Sequence, residues 1–316
     1  MTFKAYSKQF LIISAMVIIS TIGVNIYLNE FGLIGNQKNK DIRIYADEKT
    51  SKYLLSFNYI PNNFNGILVG PSLSDQMMDT KKLSDNYEIY NLSMDGGNIS
   101  ELKYAIDNVL KYGNIKLFII SLDPYITKNS GTKSSQINPK EYYSTFGSIF
   151  TAKYYLKKYR DIKKGDKSIY YDSYWGYTDN EYQKKDENST ELINKALSSF
   201  ESSDFNHLNI DKMAYTELSD ILTNVRDKNI QIMAYYYPTA KRKFEHPVYN
   251  QHYLKYRIEI DKLLDYDRDI VVDFSQNKYD YIRSNDDSYS DGAHLSRKGA
   301  NKLLKVLNEK TLKIQQ

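Results

Sequence analysis

An α/β fold built on a five-stranded parallel sheet is what the chain predicts, on three observations. Five short apolar runs recur along it. Each ends at a turn signal. Amphipathic helical patterns lie between them. The runs are Gly66–Val69 (GILV), Glu88–Leu92 (EIYNL), Ile115–Leu122 (IKLFIISL), Ile230–Tyr236 (IQIMAYY) and Ile270–Phe274 (IVVDF). Continuous apolarity without alternation is the mark of parallel strands covered on both faces. Between them, Glu101–Leu110 puts Leu102, Ala105, Ile106, Val109 and Leu110 on one face, with Asn98 as N-cap and Glu101 three residues on. Met213–Val225 repeats the pattern with Met213, Ala214, Leu218, Ile221, Leu222 and Val225. A last helix follows Ser296 as cap, with Ala300, Leu303, Leu304 and Leu307 inward. Strand–helix alternation of this kind implies a doubly wound sheet with right-handed crossovers.

Composition narrows the function classes. The chain has 316 residues, 41% hydrophobic and 26% charged, as a globular protein does. Lys plus Arg is 43 against 39 for Asp plus Glu, a net +4. A surplus so small argues against a nucleic-acid partner. There is no cysteine, which excludes disulfides, thiolate nucleophiles, Cys zinc sites and iron–sulfur clusters. Imidazole chemistry has four candidates: His207, His246, His252 and His294. No H-E-x-x-H spacing occurs, and neither a metal nor another cofactor is expected.

Phe10–Leu28 (FLIISAMVIISTIGVNIYL) is uncharged over 19 residues, close to the roughly 20 that a spanning helix needs. Lys4 and Lys8 precede it and Glu30 is the first charge after it. The positive-inside bias then puts residues 1–9 in the cytoplasm and everything after Leu28 outside. A cleaved signal peptide is the rival. Its apolar stretch is shorter and ends at small residues, whereas Asn25-Ile26-Tyr27-Leu28 is a poor cleavage site. The reading is a retained transmembrane helix over 10–28, a polar tether over 29–45 and an extracytoplasmic domain over 46–316.

One stretch departs from the alternation. From Ile126 to Asn209 no strand is read, and Tyr, Lys, Ser and Asp dominate. Tyr170, Tyr171, Tyr174, Trp175 and Tyr177 cluster within it. It reads as an insertion over 126–209 of helical and loop character. Such insertions are often lids or binding loops; the alternative is a solvated elaboration without a substrate role.

In a doubly wound sheet, sites form beyond the carboxyl ends of the strands. After the first strand stands Gly70-Pro71-Ser72-Leu73-Ser74-Asp75. A Ser at a sharp strand-to-helix turn exposes its hydroxyl, and the free N–H groups of that first turn can stabilise an oxyanion. A cap or turn serine is the plainer reading of Ser72 alone. After the fifth strand comes Ser290-Asp291-Gly292-Ala293-His294-Leu295-Ser296. Asp291 and His294, three apart, can meet, so that the carboxylate fixes the imidazole tautomer and the other ring nitrogen faces a nucleophile. The other three His have no comparable context.

The block Gly70–Asp75 resembles the GDSL(S/T)D nucleophile block of the SGNH (GDSL) hydrolase superfamily. Asp291-Gly292-Ala293-His294 resembles its DxxH block, also placed just before the last helix. The G-x-S-x-G elbow of α/β-hydrolases does not fit, because Ser74 stands where the second Gly belongs. The resemblance implies a three-layer, flavodoxin-like fold, with Ser72, His294 and Asp291 as a catalytic triad. It implies an oxyanion hole from the Leu73 turn, from Gly97 (or Gly96) after the second strand, and from the position of Asp123 after the third. Two departures stand out: Pro71 replaces the family's Asp, and Asp123 replaces its Asn. An ionised Asp accepts hydrogen bonds and cannot donate to an oxyanion. For the Gly pair, a tight turn is the alternative.

With its single N-terminal anchor, the chain is most similar to the membrane-anchored branch of the superfamily. That branch includes cell-surface polysaccharide O-acyltransferases and the D-alanine transfer protein of teichoic acid synthesis. The resemblance implies an acyl-ester enzyme working on a cell-surface glycan or teichoic-type polymer, with the membrane and a multi-pass acyl-donor protein as partners. Tyr174 and Trp175 are the expected sugar-stacking rings. The alternative is an inactive SGNH-like scaffold of a membrane acylation or export complex, which Pro71 and Asp123 favour. A lipid esterase would want an apolar lid, and the insertion is too polar for one.

Overall fold

The computed structural model describes residues 3–35, 48–128, 137, 139–148, 151, 155–156, 160, 170–172, 174–179, 189–198 and 208–315. In chain order the elements are α1 (Phe3–Leu28), α2 (Glu48–Leu55), α3 (Tyr59–Asn63), β1 (Gly66–Val69), α4 (Ser72–Asp75), β2 (Ile89–Asn91), α5 (Ile99–Tyr112), β3 (Leu117–Ser121) and α6 (Glu141–Thr145). They continue with β4 (Tyr170–Asp172), β5 (Tyr177–Asp179), α7 (Ser189–Ser198), α8 (Lys212–Asp227), β6 (Gln231–Tyr236), α9 (Lys241–Phe244), α10 (Pro247–Asp261), β7 (Ile270–Asp273), α11 (Asp280–Arg283) and α12 (Arg297–Thr311). Short 3-10 turns complete the connections.

The central sheet is five-stranded and all parallel, in the order β2-β1-β3-β6-β7. The chain winds outward from β1 in both directions, and the order reverses there, which makes the carboxyl ends beside β1 the switch-point crevice. Side-chain alternation divides the two cores. Ile67 and Val69 of β1, Phe118 and Ile120 of β3, and Ile232, Ala234 and Tyr236 of β6 face the core shared with α2, α3, α5, α8 and α10. Leu68, Leu117, Ile119, Met233 and Tyr235 face the opposite core, closed by α12. Successive residues of a strand point to opposite faces, so runs apolar at every position are buried on both sides. Each such side chain stabilises the fold by about 1.5–3 kcal/mol.

Capping follows the sequence reading. Asn98 accepts from the Glu101 N–H at the start of α5, and Ser296 accepts from the Gly299 N–H at the start of α12. The five strands sit within the five apolar runs: β1 fills its run and the other four are shorter than theirs by one to three residues.

Three features depart from the sequence expectation. The insertion contains strands: β4 and β5 pair antiparallel, with Tyr170 opposite Asp179 and Asp172 opposite Tyr177. Gly176, at φ 83°, makes the reversal. This hairpin docks by its backbone on the main sheet. The Asn91 N–H of the edge strand β2 donates to the Trp175 carbonyl at 2.8 Å, and the Met77 N–H donates to the Thr178 carbonyl at 2.7 Å. An open edge is thereby covered. Much of the remaining insertion, His207 included, lies outside the described residues.

The tether expectation also needs correction over its first part. Phe31 is buried in the core and Leu33 packs against it, while Asn58 donates to the carbonyls of Gly32 at 2.6 Å and Gly35 at 2.7 Å. Residues 36–45 lie outside the described residues.

Finally, α1 starts at Phe3 rather than Phe10, and it is long and apolar enough to cross a membrane. Its Asn25 is buried against the insertion. The Asn25 amide donates to the carbonyls of Thr145, Phe146 and Ser148, and its oxygen accepts from the hydroxyls of Thr151 (2.7 Å) and Tyr155 (3.1 Å).

Candidate active site

The loops after β1 and β7 build the site at the carboxyl edge of the sheet, and the loop after β6 supports it. After β1 the chain turns through Gly70 and Pro71 into α4. A Cβ on Gly70 would stand 2.1 Å from Ser74 Oγ and 2.9 Å from Ser121 Cβ, so only glycine allows this turn to lie so close to β3. Ser72 is the first residue of α4, with Pro71 as its N-cap. The fixed φ of proline suits this position. The first-turn N–H groups of Ser72 and Leu73 precede any intrahelical partner.

After β7 the chain returns through a turn tied by one carboxylate. Asp291 Oδ1 accepts from the Ala293 and His294 N–H groups, both at 2.7 Å. Its Oδ2 lies 2.9 Å from His294 Nδ1. The loop is held from outside by the Tyr237 hydroxyl, which accepts from the Leu295 N–H at 2.8 Å, and is closed on itself by the Ser290 N–H donating to the His294 carbonyl at 2.9 Å. A Cβ on Gly292 would stand 2.6 Å from Ala196 Cβ, so α7 packs directly on this turn.

The two loops meet. His294 Nε2 lies 3.0 Å from Ser72 Oγ, across 222 residues of sequence. An ionised Asp291 can only accept, so Nδ1 carries the ring proton and Nε2 presents its lone pair to the serine hydroxyl. His294 and Asp291 are 22% and 23% exposed, so a reactant can reach them. This geometry allows general-base withdrawal of the Ser72 proton while Asp291 stabilises the imidazolium that forms.

The three oxyanion candidates fare differently. Leu73 offers a first-turn N–H of α4 beside Ser72. The Gly97 N–H is committed to the Met94 carbonyl at 2.9 Å, closing the tight turn in which Gly96 takes φ 58°. The two glycines thus form a tight turn, and the Gly97 N–H is used within it. Asp123 caps the 3-10 turn at Pro124–Thr127 by accepting from the Tyr125 N–H at 2.9 Å. Burial pushes its carboxyl up to about 6, against the opposing pull of that N–H, Lys243 and His294. Asp123 is thus within electrostatic reach of the imidazole without being its hydrogen-bonded partner.

The aromatic pair expected to meet sugar packs by part of its surface on the core. Trp175 meets Phe64 edge to face at 5.6 Å, and Tyr174 meets Tyr59 at 6.2 Å and Phe64 at 5.6 Å. Both rings are half-buried. Of the remaining histidines, His246 stands at the N-cap of α10 and His252 within it. Among the described residues no group of three or more His, Asp or Glu side chains is arranged to hold a metal ion.

Two lysines escaped the sequence reading. Lys243 of α9 feels the charges of Asp123 and Asp291, and burial lowers its pKa. Lys52 of α2 is buried against Asp75 of the nucleophile turn. The spacing of Glu48 and Lys52, one helical turn apart, was the only available signal for the second, and it ordinarily marks a solvated pair.

No family model matches the chain, and no curated protein matches it. Among solved structures it is similar to one from Streptococcus pneumonia, described as a candidate platelet activating factor. The two share 14% sequence identity and a TM-score of 0.46, over 91% of this chain and 98% of that one. At that distance the likeness carries no chemistry, and the reading of the site stands on the distances above.

Proposed function

We propose that this chain is a membrane-anchored serine enzyme of the acyl-ester class. The observation that supports it most is the continuous chain of hydrogen-bond distances Asp291–His294–Ser72, at 2.9 and 3.0 Å. Ser72 attacks an ester carbonyl, and His294 takes its proton and then returns it to the leaving alcohol. An acyl-serine forms, and water or a second hydroxyl releases the acyl group. The finer reading is acyl transfer to or from a cell-surface polysaccharide, with a multi-pass membrane protein as donor. Its support is the N-terminal spanning-length helix and the resemblance of the two motif blocks.

A scaffold reading has its own observations. The Gly97 N–H is already engaged, and Asp123 is a carboxyl where an amide donor is expected. Both thin the oxyanion hole. A fluorophosphonate probe separates the two readings, since it requires an activated serine. Labelling of the full chain that disappears in Ser72→Ala is the expected result. An unlabelled wild-type chain that still supports surface-polymer acylation in cells would leave the scaffold.

A further inference from the structure

Behind the Ser72 turn lies an ionic cluster closed to water. The side chains of Lys52 and Asp75 are each 1% exposed. The Lys52 ammonium has three hydrogens and three acceptors: Glu48 Oε1 at 2.8 Å, Asp75 Oδ1 at 2.7 Å and the Ser93 carbonyl. A buried ammonium costs several kcal/mol unless its partners are complete, and here they are. Each acceptor belongs to a different segment. Glu48 is one turn back on α2, Asp75 ends the nucleophile turn three residues after Ser72, and Ser93 opens the loop after β2. The second oxygen of Glu48 accepts from the Asp95 N–H of that same loop at 3.1 Å.

The charges fit one cation between one full and one partial anion. Burial opposes the charge of Glu48, yet Lys52 holds its carboxyl below the ordinary value. Burial and the charge of Glu48 together push Asp75 up to about 8. Asp75 thus resists ionisation more than a free aspartate does, while its Oδ1 still accepts from the Lys52 ammonium.

We propose that Lys52 is a positioning residue for Ser72: one ammonium holds the nucleophile turn and the loop after β2 at a fixed separation. This rests on the catalytic reading of Ser72. The oxyanion formed on attack would meet the first-turn N–H groups beside Ser72, so the setting of the nucleophile turn positions it, and displacement of a reacting group by about 1 Å can cost on the order of 100-fold in rate. The ammonium itself sits behind the turn and touches no substrate. Its influence is therefore on turnover and not on ground-state binding.

The test uses the full chain in detergent, with p-nitrophenyl acetate and a fluorophosphonate as probes. Lys52→Met combined with Glu48→Gln removes cation and anion together and leaves no bare buried charge. It is expected to fold, to lose about 10- to 100-fold in kcat and in labelling rate, and to keep KM within about twofold. Asp75→Asn retains an acceptor for the ammonium and is expected to stay within about threefold of wild type. Lys52→Arg keeps the charge but not the three-pronged reach, and should fold and lose about tenfold in kcat. Folded variants with wild-type kcat would overturn the positioning role while Ser72→Ala still abolished labelling. Failure of both Lys52 variants to fold would also overturn it, leaving a cluster that serves only the fold. If the wild-type chain is itself unlabelled, the catalytic reading fails first, and the two failures are distinct.

Discussion

Replacing Asp123 by asparagine exchanges a buried, titrating carboxyl for an amide of the same shape, and its effect on stability should depend on pH in a defined direction. The ordinary aspartate value is 3.8, and in the folded chain Asp123 is pushed up to about 6 by burial. Between those values the folded state keeps a proton that the unfolded chain has released. Stability therefore falls as pH rises from about 4 to about 6, then levels off. The gap between 3.8 and about 6 corresponds to about 3 kcal/mol, at roughly 1.36 kcal/mol for each pH unit. In the Asp123→Asn variant the side-chain oxygen would still accept from the Tyr125 N–H, now at 2.9 Å, so the 3-10 turn keeps its cap. An unpaired amide N–H₂ would add a constant cost, and that cost does not titrate. The measurable quantity is then the wild-type-to-variant difference at two pH values. Other carboxylates titrate equally in both chains and cancel. Thermal melts of the detergent-solubilised proteins at pH 4 and pH 7.5 should show the Asp123→Asn variant gaining about 2.4 kcal/mol relative to wild type, roughly 4 °C in Tm. A difference that stays constant across that range, or moves toward wild type as pH rises, would refute the burial argument.

Other expectations follow from the same geometry. Ser72→Ala and His294→Ala should each abolish ester turnover, and the double variant should be little worse than either, because the two act as one unit; additive losses would separate their roles. Asp291→Asn should cost roughly three to four orders of magnitude in kcat by favouring the wrong imidazole tautomer, with a near-normal melt, since the amide oxygen still accepts from the Ala293 and His294 N–H groups. Trp175→Ala should lower stability by about 2 kcal/mol because its ring packs on Phe64; an unchanged melt with lost glycan binding would return this residue to a sugar-facing role. Asn25→Leu strands the carbonyls and hydroxyls that its amide engages, and should expose the backbone at Thr145–Ser148 to limited proteolysis; an unchanged digestion pattern would count against that docking. A reporter active only outside the cytoplasm, fused after Gln316, should work; activity from a cytoplasmic reporter alone would reverse the proposed orientation.

What could be read in advance was whatever depends on short-range pattern. The strands were legible because a parallel strand buried on both faces leaves an uninterrupted apolar run, as at Leu117–Ser121. The caps at Asn98 and Ser296 are local chemistry, decided within four residues. His294 stood out because Asp291 precedes it by three and a helix follows. The β4–β5 hairpin was hidden because its stability comes from backbone bonds to β2 and to Met77, which no periodicity records. Lys52 gave no signal of its burial, which is decided by Asp75 and Ser93, 23 and 41 positions away. Gly97 shows a similar limit: sequence can propose a donor, but only the turn decides where its N–H points. Phe31, one of two aromatics in a polar stretch, gave no sign that the core would reach out to include it.

The joint between α1 and the domain sets how the site can meet its substrate. A free segment over 29–45 would be 17 residues, and a flexible chain of that length spans on the order of 20–25 Å, so the domain would patrol a hemisphere above its anchor. Asn25 and Phe31 remove that freedom, one by hydrogen bonds and the other by burial. In a membrane-inserted chain the domain then behaves as a bracket and not as a leash. On the proposed function Ser72 would work at one altitude and one heading, and encounters would depend on what drifts past in the plane of the bilayer or bends down from beyond it. The search is left to the substrate, and lengthening the joint with a Gly/Ser spacer would hand it back to the enzyme.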